Sequence, residues 1–101
     1  DQAKALDDFA KALQFNPRQR FVLTTRASLY VQQKKYREAM ADYDKALELD
    51  PKFGSAYFAR AGVHSTLHRK KEAKADYQRA LEFAGPDKEL KTQAEAALQK
   101  Q

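Results

Sequence analysis

One short pattern of residues occurs three times in this chain, at a constant spacing of 34 residues. The copies read Ala5-x-x-x-Phe9-x-x-Ala12-Leu13, Ala39-x-x-x-Tyr43-x-x-Ala46-Leu47 and Ala73-x-x-x-Tyr77-x-x-Ala80-Leu81. Each copy keeps its apolar members on one stripe of an α-helix, and a proline (Pro17, Pro51 or Pro86) then ends the helix. A repeat of this length indicates stacked supersecondary units, each of which buries its apolar face against its neighbour.

Further helical stretches lie between and after the copies. Apolar residues at helical spacing run from Gln19 to Gln33 and from Gly54 to Leu67, and a last amphipathic segment runs from Asp87 to Lys100. Asp87 is the expected N-cap of that segment. The chain is therefore predicted to be all-α, with about six helices.

The pattern resembles the tetratricopeptide repeat (TPR) family over essentially the whole chain. The second-helix half of the family pattern, with its alanines, its aromatic residue and its proline, recurs in all three copies. Tyr30 also matches the first-helix half, where His64 replaces the next tyrosine. Both full copies depart from the family's Trp and Leu-Gly in the same way, through Leu23 and Tyr57 and through Arg26-Ala27 and Arg60-Ala61. These shared departures are typical of an Arg/Asp-containing sub-type.

The resemblance implies a right-handed α-solenoid of antiparallel helix pairs, a single segment over residues 1–101. Its expected parts are the second helix of a truncated repeat (2–17), two full repeats (19–51 and 53–85) and a C-terminal capping helix (87–100). Because Asp1 is not a natural start residue and the repeat phase begins mid-unit, we expect a piece of a longer array.

Two turn positions lack the glycine that the family often has between paired helices. Lys34 and His68 stand there, so either the turns carry a positive φ at a cost of roughly 1 kcal/mol each, or they adopt another geometry.

Charged residues also recur at the repeat period. Arg26 and Arg60 lie on the apolar stripe of the first helices, and Asp8, Asp42 and Asp76 recur on the second helices. Since an isolated buried charge is costly, we expect pairing, either within repeats (Arg26–Asp42, Arg60–Asp76) or across them (Asp8–Arg26, Asp42–Arg60). The alternative is that all are exposed polar residues.

By the resemblance, first helices line a concave face on which partners bind. The lining positions that it implies are Phe21, Thr24, Thr25, Ser28, Gln32, Ser55, Phe58, Ala59, Gly62, Ser65 and Thr66, with Thr92, Gln93 and Ala96 of the cap extending the wall. This small, polar surface with two phenylalanines suits an extended or helical peptide. Phe21 and Phe58 packing between repeats is an equally weighted alternative.

Some family members hold the terminal carboxylate of a chaperone tail with a lysine–asparagine–arginine clamp. The matching positions here hold Thr24, Ser28, Thr25, Ser55 and Ala59, none of which is basic. We therefore expect this chain not to bind that class of ligand.

Basic residues cluster at two turns one period apart. Stacking would place them side by side as a basic rim, which we define as Lys34, Lys35, Arg37, Arg69, Lys70 and Lys71. Such a rim attracts acidic protein, nucleic acid or anionic lipid. Nucleic acid is disfavoured because only Tyr36 is nearby to stack on a base. A solvated turn that keeps the array soluble is the plainer interpretation.

The chain lacks the patterns of enzymes and metal sites. It has no cysteine, its three glycines are isolated, and no nucleophile elbow or phosphate loop is present. His64 and His68 are four residues apart, but no further ligands accompany them, so neither a metal nor a cofactor is expected. No signal-like segment opens these residues and no apolar run approaches the roughly 20 needed to span a bilayer.

The net charge of +5 is a mild bias toward acidic partners. We predict a non-catalytic scaffold that binds a protein or peptide on its concave face. The alternatives are an anion-binding module that uses the basic rim and a self-assembly segment. For the last of these, the apolar face of helix 2–15 would seek another copy.

Overall fold

Six α-helices follow one another in the computed structural model, which describes residues 1–100. They are α1 Gln2–Phe15, α2 Arg20–Gln32, α3 Tyr36–Leu49, α4 Gly54–Thr66, α5 Lys70–Glu82 and α6 Lys88–Lys100. No strand occurs in this part of the chain. The helices form two compact units, one of Asp1–Pro51 and the other beginning at Lys52. We call these unit 1 and unit 2.

Prolines directly follow the C-caps of α1 and α3, as the pattern predicts, whereas α5 ends at Glu82, four residues before Pro86. Asn16 and Asp50, the residues before Pro17 and Pro51, have extended backbones with φ −144° and −141°. The proline ring disfavours helical geometry in the preceding residue, so the chain must leave the helix there. Before Pro86, Gly85 adopts φ +58° instead.

The turns inside the two full pairs are left-handed helix ends. Lys34 and His68 both have φ +61°. Around them the N–H of Lys35 donates to the Tyr30 carbonyl and the N–H of Arg69 donates to the His64 carbonyl, each at 2.8 Å. This six-to-one hydrogen bond defines a Schellman motif, which requires the left-handed residue that glycine normally supplies. The turns therefore take the positive-φ geometry.

Buried alanines allow the helices within each unit to pack closely. In unit 1, α2 packs on α3 and α1 contacts α2; in unit 2, α4 packs on α5, and α6 contacts both. Ala27, Ala39 and Ala46 in unit 1, like Ala61, Ala73 and Ala80 in unit 2, are completely buried. A larger side chain at these positions would force the helix axes apart.

The capping helix α6 begins where the sequence predicts. The Asp87 carboxylate accepts a hydrogen bond of 3.0 Å from the N–H of Leu90, as an N-cap does. Leu90 and Ala94 are the buried residues of this helix. Its buried face packs mainly on α5.

Candidate functional site

An open groove of about 580 Å³ lies in unit 2. It is lined by Phe58 and Ser65 of α4, Tyr77 of α5, and Gln93, Ala96, Ala97 and Lys100 of α6. Aromatic rings and alanine methyls form its apolar part, while Ser65, Gln93 and Lys100 contribute polar groups. The groove therefore combines an apolar floor with a few polar groups, the usual composition of a ligand site.

Packing fixes the aromatic part of this groove. The rings of Phe58 and Tyr77 meet edge to face with their centroids 5.5 Å apart. Tyr77 belongs to a buried cluster with Ala61 and Ala73, and Phe58 packs against that cluster while remaining half-buried. The Tyr77 hydroxyl is neutral at physiological pH, as tyrosine hydroxyls ordinarily are, and burial raises its pKa further. The groove thus presents preformed, uncharged rings.

A smaller groove of about 260 Å³ lies in unit 1, between α1 and α2. Its lining is Ala5 and Phe9 of α1 with Thr25, Ser28, Leu29 and Gln32 of α2. Phe21 stays outside it, 62% exposed, with the Arg20 guanidinium 4.6 Å from the centre of its ring. Thr24 also lies outside this groove.

The predicted concave residues are thus divided among different places. Phe58 and Ser65 line the large groove together with Gln93 and Ala96, and Thr25, Ser28 and Gln32 line the small one. Ser55, Ala59, Gly62, Thr66 and Thr92 line neither. Tyr77, Ala97 and Lys100 were missed as groove residues. Helical periodicity assigned Tyr77 to the core, and it gives no indication that one edge of its ring stays accessible.

The threonine hydroxyls are occupied by their own helices. Thr25 donates to the Phe21 carbonyl at 2.7 Å, Thr66 to Gly62 at 2.9 Å and Thr92 to Lys88 at 2.9 Å. These hydroxyl protons are therefore already used. Toward a ligand, such side chains offer oxygen lone pairs rather than a free donor.

The recurring charges form buried ion pairs within each helix pair. Arg26 binds the two Asp42 oxygens through Nε and Nη2, both at 2.7 Å, and Arg60 binds Asp76 in the same way at 2.7 and 2.9 Å. The hydrogen bonds that Arg26 donates to Asp42 raise the pKa of Arg26 above its already high ordinary value, outweighing the lowering by partial burial. Asp8 is exposed. The pairing thus follows the within-repeat alternative.

His64 faces the second of these pairs. Its Nε2 lies 3.7 Å from Oδ2 of Asp76, and its Nδ1 is buried without a hydrogen-bond partner among residues 1–100. His68 is exposed at the turn. In the described part of the chain, no three His, Asp or Glu side chains are grouped so that they could hold a metal ion.

The prediction that all six residues of the basic rim lie in inter-helix turns is wrong for three of them. All six side chains are exposed, but only Lys34, Lys35 and Arg69 belong to inter-helix turns. Arg37, Lys70 and Lys71 already lie in the first turn of α3 or α5. The reason is that the Schellman motif closes each turn within three residues, so the next helix begins sooner than the charge pattern suggests.

None of the helices in residues 1–100 is both long enough and apolar enough to cross a membrane.

Comparison with known families places the chain in a large class of repeat proteins. Two sequence profiles, both described as "Tetratricopeptide repeat", match residues 21–53 and 54–86. Their shared boundary falls between Phe53 and Gly54, where α4 begins. No significant match is found among curated protein sequences.

Solved structures give the same result. The first TPR of Spaghetti (RPAP3), bound to the HSP90 peptide SRMEEVD, is 31% identical, with 98% of this chain and 75% of that chain covered and a TM-score of 0.85. The Arabidopsis OM64 TPR domain is 29% identical, with 98% and 81% covered and a TM-score of 0.84. The Yersinia enterocolitica secretion chaperone SycD is similar in fold alone. It is 19% identical, with 98% of this chain and 70% of that chain covered and a TM-score of 0.91.

The all-α helical-repeat fold predicted from the sequence is confirmed by these neighbours together with the six helices. Two complete helix pairs with the family's spacing, and a solved relative above 30% identity, support the same assignment. The chain belongs to the tetratricopeptide repeat family, whose members are protein–protein interaction modules.

Proposed function

We propose that the groove of unit 2 binds a peptide segment of a partner protein, and that the chain has no chemistry of its own. The observation that carries this proposal is the open groove of about 580 Å³ between α4 and α6, with the rings of Phe58 and Tyr77 at its floor. A site of this size holds a few side chains of a peptide.

The lining indicates which kind of peptide fits. An apolar side chain of the ligand packs against the Phe58 ring and the Ala96 and Ala97 methyl groups. Backbone or side-chain amides reach Ser65 and Gln93, and Lys100 favours a carboxylate at one end. A peptide with one apolar anchor and an acidic neighbour therefore matches the groove better than a purely basic one.

The likeness to the RPAP3 repeat suggests one defined probe, the peptide SRMEEVD that is bound to that protein. The positions that would form a carboxylate clamp in this chain carry no basic side chain, so we expect SRMEEVD to bind more weakly than peptides selected for the groove. Tight binding of this peptide, lost on Lys100→Ala, would instead assign the chain to the chaperone-tail class.

The test is selection of short peptides from a displayed library on the wild-type chain, followed by affinity measurements on variants. Phe58→Glu places a charge on the groove floor, and Ala96→Glu fills the groove from an exposed helical position without touching the core. Phe21→Glu is the matched control, since Phe21 is exposed but outside this groove. Circular dichroism confirms that each variant is folded.

We expect selected peptides to lose at least about tenfold in affinity with both groove variants and to keep it with Phe21→Glu. Equal binding to wild type, Phe58→Glu and Ala96→Glu would exclude the groove as the site.

A second candidate function is anion binding by the unit 2 part of the basic rim, Arg69, Lys70 and Lys71. These three cationic side chains are exposed, and within residues 1–100 none of them pairs with a carboxylate. Lys70→Glu combined with Lys71→Glu tests this candidate. If selected ligands are lost with that variant and with rising salt, but not with Phe58→Glu, the rim is the binding surface.

A further inference from the structure

The Tyr77 hydroxyl is an unpaired polar group at the groove of unit 2. Tyr77 lines the groove, and the residue is only 7% exposed, so more than nine-tenths of its surface is removed from water. Within residues 1–100 its hydroxyl forms no hydrogen bond. Since buried polar groups in proteins are nearly always hydrogen-bonded, this hydroxyl indicates a partner from outside the chain.

The hydroxyl oxygen is also accessible. The side-chain atoms that are fully enclosed without a hydrogen-bond partner in the described part of the chain are Gln33 Oε1 and His64 Nδ1. The Tyr77 oxygen is not one of them, so it keeps a contact with solvent, and the space that Tyr77 lines is the groove. A ligand that fills the groove displaces water from this hydroxyl, and the ligand must then supply the acceptor itself.

A second free hydroxyl lies in the same groove. Ser65 of α4 is half-buried, and within residues 1–100 its hydroxyl has no partner. Thr66 and Thr92 instead donate to carbonyls of their own helices, which is the common behaviour of such side chains. Ser65 and Tyr77 therefore present two hydroxyl groups from different helices, and each of them can both donate and accept.

The positive charge of the groove is separated from its apolar floor. Lys100 is exposed in the last turn of α6, whereas Tyr77 packs in a buried cluster with Ala61 and Ala73. Removing a carboxylate from water next to such a cluster is costly, and removing a neutral carbonyl that gains a hydrogen bond costs far less. The Tyr77 hydroxyl therefore matches a neutral acceptor, and Lys100 matches a carboxylate of the same ligand.

We propose that the Tyr77 hydroxyl is a ligand-binding group of the groove, and that it donates a hydrogen bond to a backbone carbonyl of a partner-protein peptide that is extended at that residue. The Ser65 hydroxyl binds a neighbouring backbone group of the same peptide. This inference rests on the peptide binding proposed above and adds the backbone conformation that the groove selects.

The conformation follows from where backbone hydrogen bonds are used. In a helical ligand the carbonyls accept from N–H groups four residues later, so such a ligand would cover Tyr77 and leave its hydroxyl unpaired. An extended segment leaves its carbonyl and N–H groups free for Tyr77 and Ser65. Every residue has a backbone carbonyl, so Tyr77 selects conformation, while the surfaces around Phe58 and Lys100 select side chains.

The first test removes one oxygen atom. Peptides selected on the wild-type chain are titrated against Tyr77→Phe, which keeps the ring that meets Phe58 edge to face. Tyr57→Phe is the matched control, because Tyr57 is 6% exposed in the same unit and lines neither groove. We expect Kd to rise about fivefold with Tyr77→Phe and to change less than about twofold with Tyr57→Phe. Circular dichroism confirms that both variants are folded.

The second test locates the acceptor on the peptide. Each backbone amide of a selected peptide is replaced in turn by an ester, whose carbonyl is a weaker acceptor, and each side chain is replaced in turn by alanine. At one ester position the loss of affinity for the wild-type chain should be at least about threefold larger than the loss for Tyr77→Phe. No alanine position should show such coupling to Tyr77.

The outcomes separate this inference from the peptide binding on which it rests. If Phe58→Glu and Ala96→Glu weaken binding but Tyr77→Phe binds as wild type does, the groove is the site and the role of Tyr77 is overturned. Equal weakening by Tyr77→Phe and Tyr57→Phe also overturns it. Coupling of Tyr77 to a side chain of the peptide, with no coupled ester, overturns the backbone assignment. If neither groove variant weakens binding, both proposals are overturned together.

Discussion

The Arg60 guanidinium and the Asp76 carboxylate lie side by side in unit 2, joined by hydrogen bonds of 2.7 Å from Nε and 2.9 Å from Nη2. Arg26 and Asp42 repeat this geometry in unit 1. Both carboxylates are almost completely buried, at 5–6% exposure. The pair therefore links the two helices of each repeat from inside the apolar interface.

Removing one partner of this pair should be costly. We expect Arg60→Ala to lower the free energy of unfolding by about 3 kcal/mol, since it leaves the buried Asp76 carboxylate without its arginine partner. Urea denaturation measures this. The double variant Arg60→Met, Asp76→Asn should lose less free energy of unfolding than the sum of the losses in Arg60→Met alone and Asp76→Asn alone. Additive losses would show that the pair contributes no coupling.

The exposed pair of Asp7 and Lys11 is the control for this effect. It has a comparable N–O distance of 3.2 Å, but both side chains are more than 60% exposed. Lys11→Ala should change stability far less than Arg60→Ala, because solvent screens the exposed pair.

The left-handed turns predict a stabilising substitution. Lys34→Gly and His68→Gly should each raise the free energy of unfolding, by up to about 1 kcal/mol, since φ +61° strains a residue that has a Cβ. Gly85→Ala is the converse control: φ is +58° and nothing lies within 4 Å of the added methyl group, so its loss would come from backbone strain alone. Thermal unfolding of the three variants checks that the two glycine substitutions raise stability and that Gly85→Ala lowers it.

Two glycines on α4 should respond oppositely to alanine. A Cβ on Gly54 would lie 2.8 Å from the Phe83 carbonyl oxygen and 3.3 Å from a Leu90 methyl, so Gly54→Ala should cost about 1–3 kcal/mol. A Cβ on Gly62 meets nothing within 4 Å, so Gly62→Ala should stabilise the helix interior by up to about 1 kcal/mol. No loss of stability with Gly54→Ala would contradict the packing of α4 against the segment after α5, and a loss with Gly62→Ala would contradict the open space beside Gly62.

A buried tyrosine should make stability depend on alkaline pH. Burial, and secondarily the negative charge of Asp42, raises the pKa of Tyr43 above its ordinary value of about 10. Between the unfolded and the folded pKa, the unfolded chain has lost this proton while the native state keeps it. The stabilisation is therefore complete below about pH 10 and is lost as pH rises through the folded pKa.

Tyr43→Phe removes this titration. We expect the free energy of unfolding of the wild type to fall more steeply than that of Tyr43→Phe as pH rises from about 9 to about 11. The difference between the two proteins at neutral pH gives the cost of the lost hydroxyl and serves as the baseline. Parallel curves over this range would refute the burial argument.

Much of the fold could be read from the order of residues. The 34-residue period, the apolar stripes and the prolines determined the number of helices and their family, because helix formation and termination depend on neighbouring residues. The Asp87 cap is equally local. The recurrence of Arg26 and Arg60 with Asp42 and Asp76 also favoured pairing of these charges over their exposure to solvent.

Tertiary structure decided which groups meet and which surfaces stay open. Asp42 lies sixteen residues after Arg26, and Asp8 lies eighteen before it, so sequence spacing allowed both pairings and only the packing of α2 on α3 selected one. Likewise Tyr77 satisfies the core pattern, yet it also lines a groove together with Phe58 of α4 and Lys100 of α6. Periodicity specifies the face of a helix that is apolar. The partner of that face, and the space left beside it, follow from how side chains on different helices fill a shared volume.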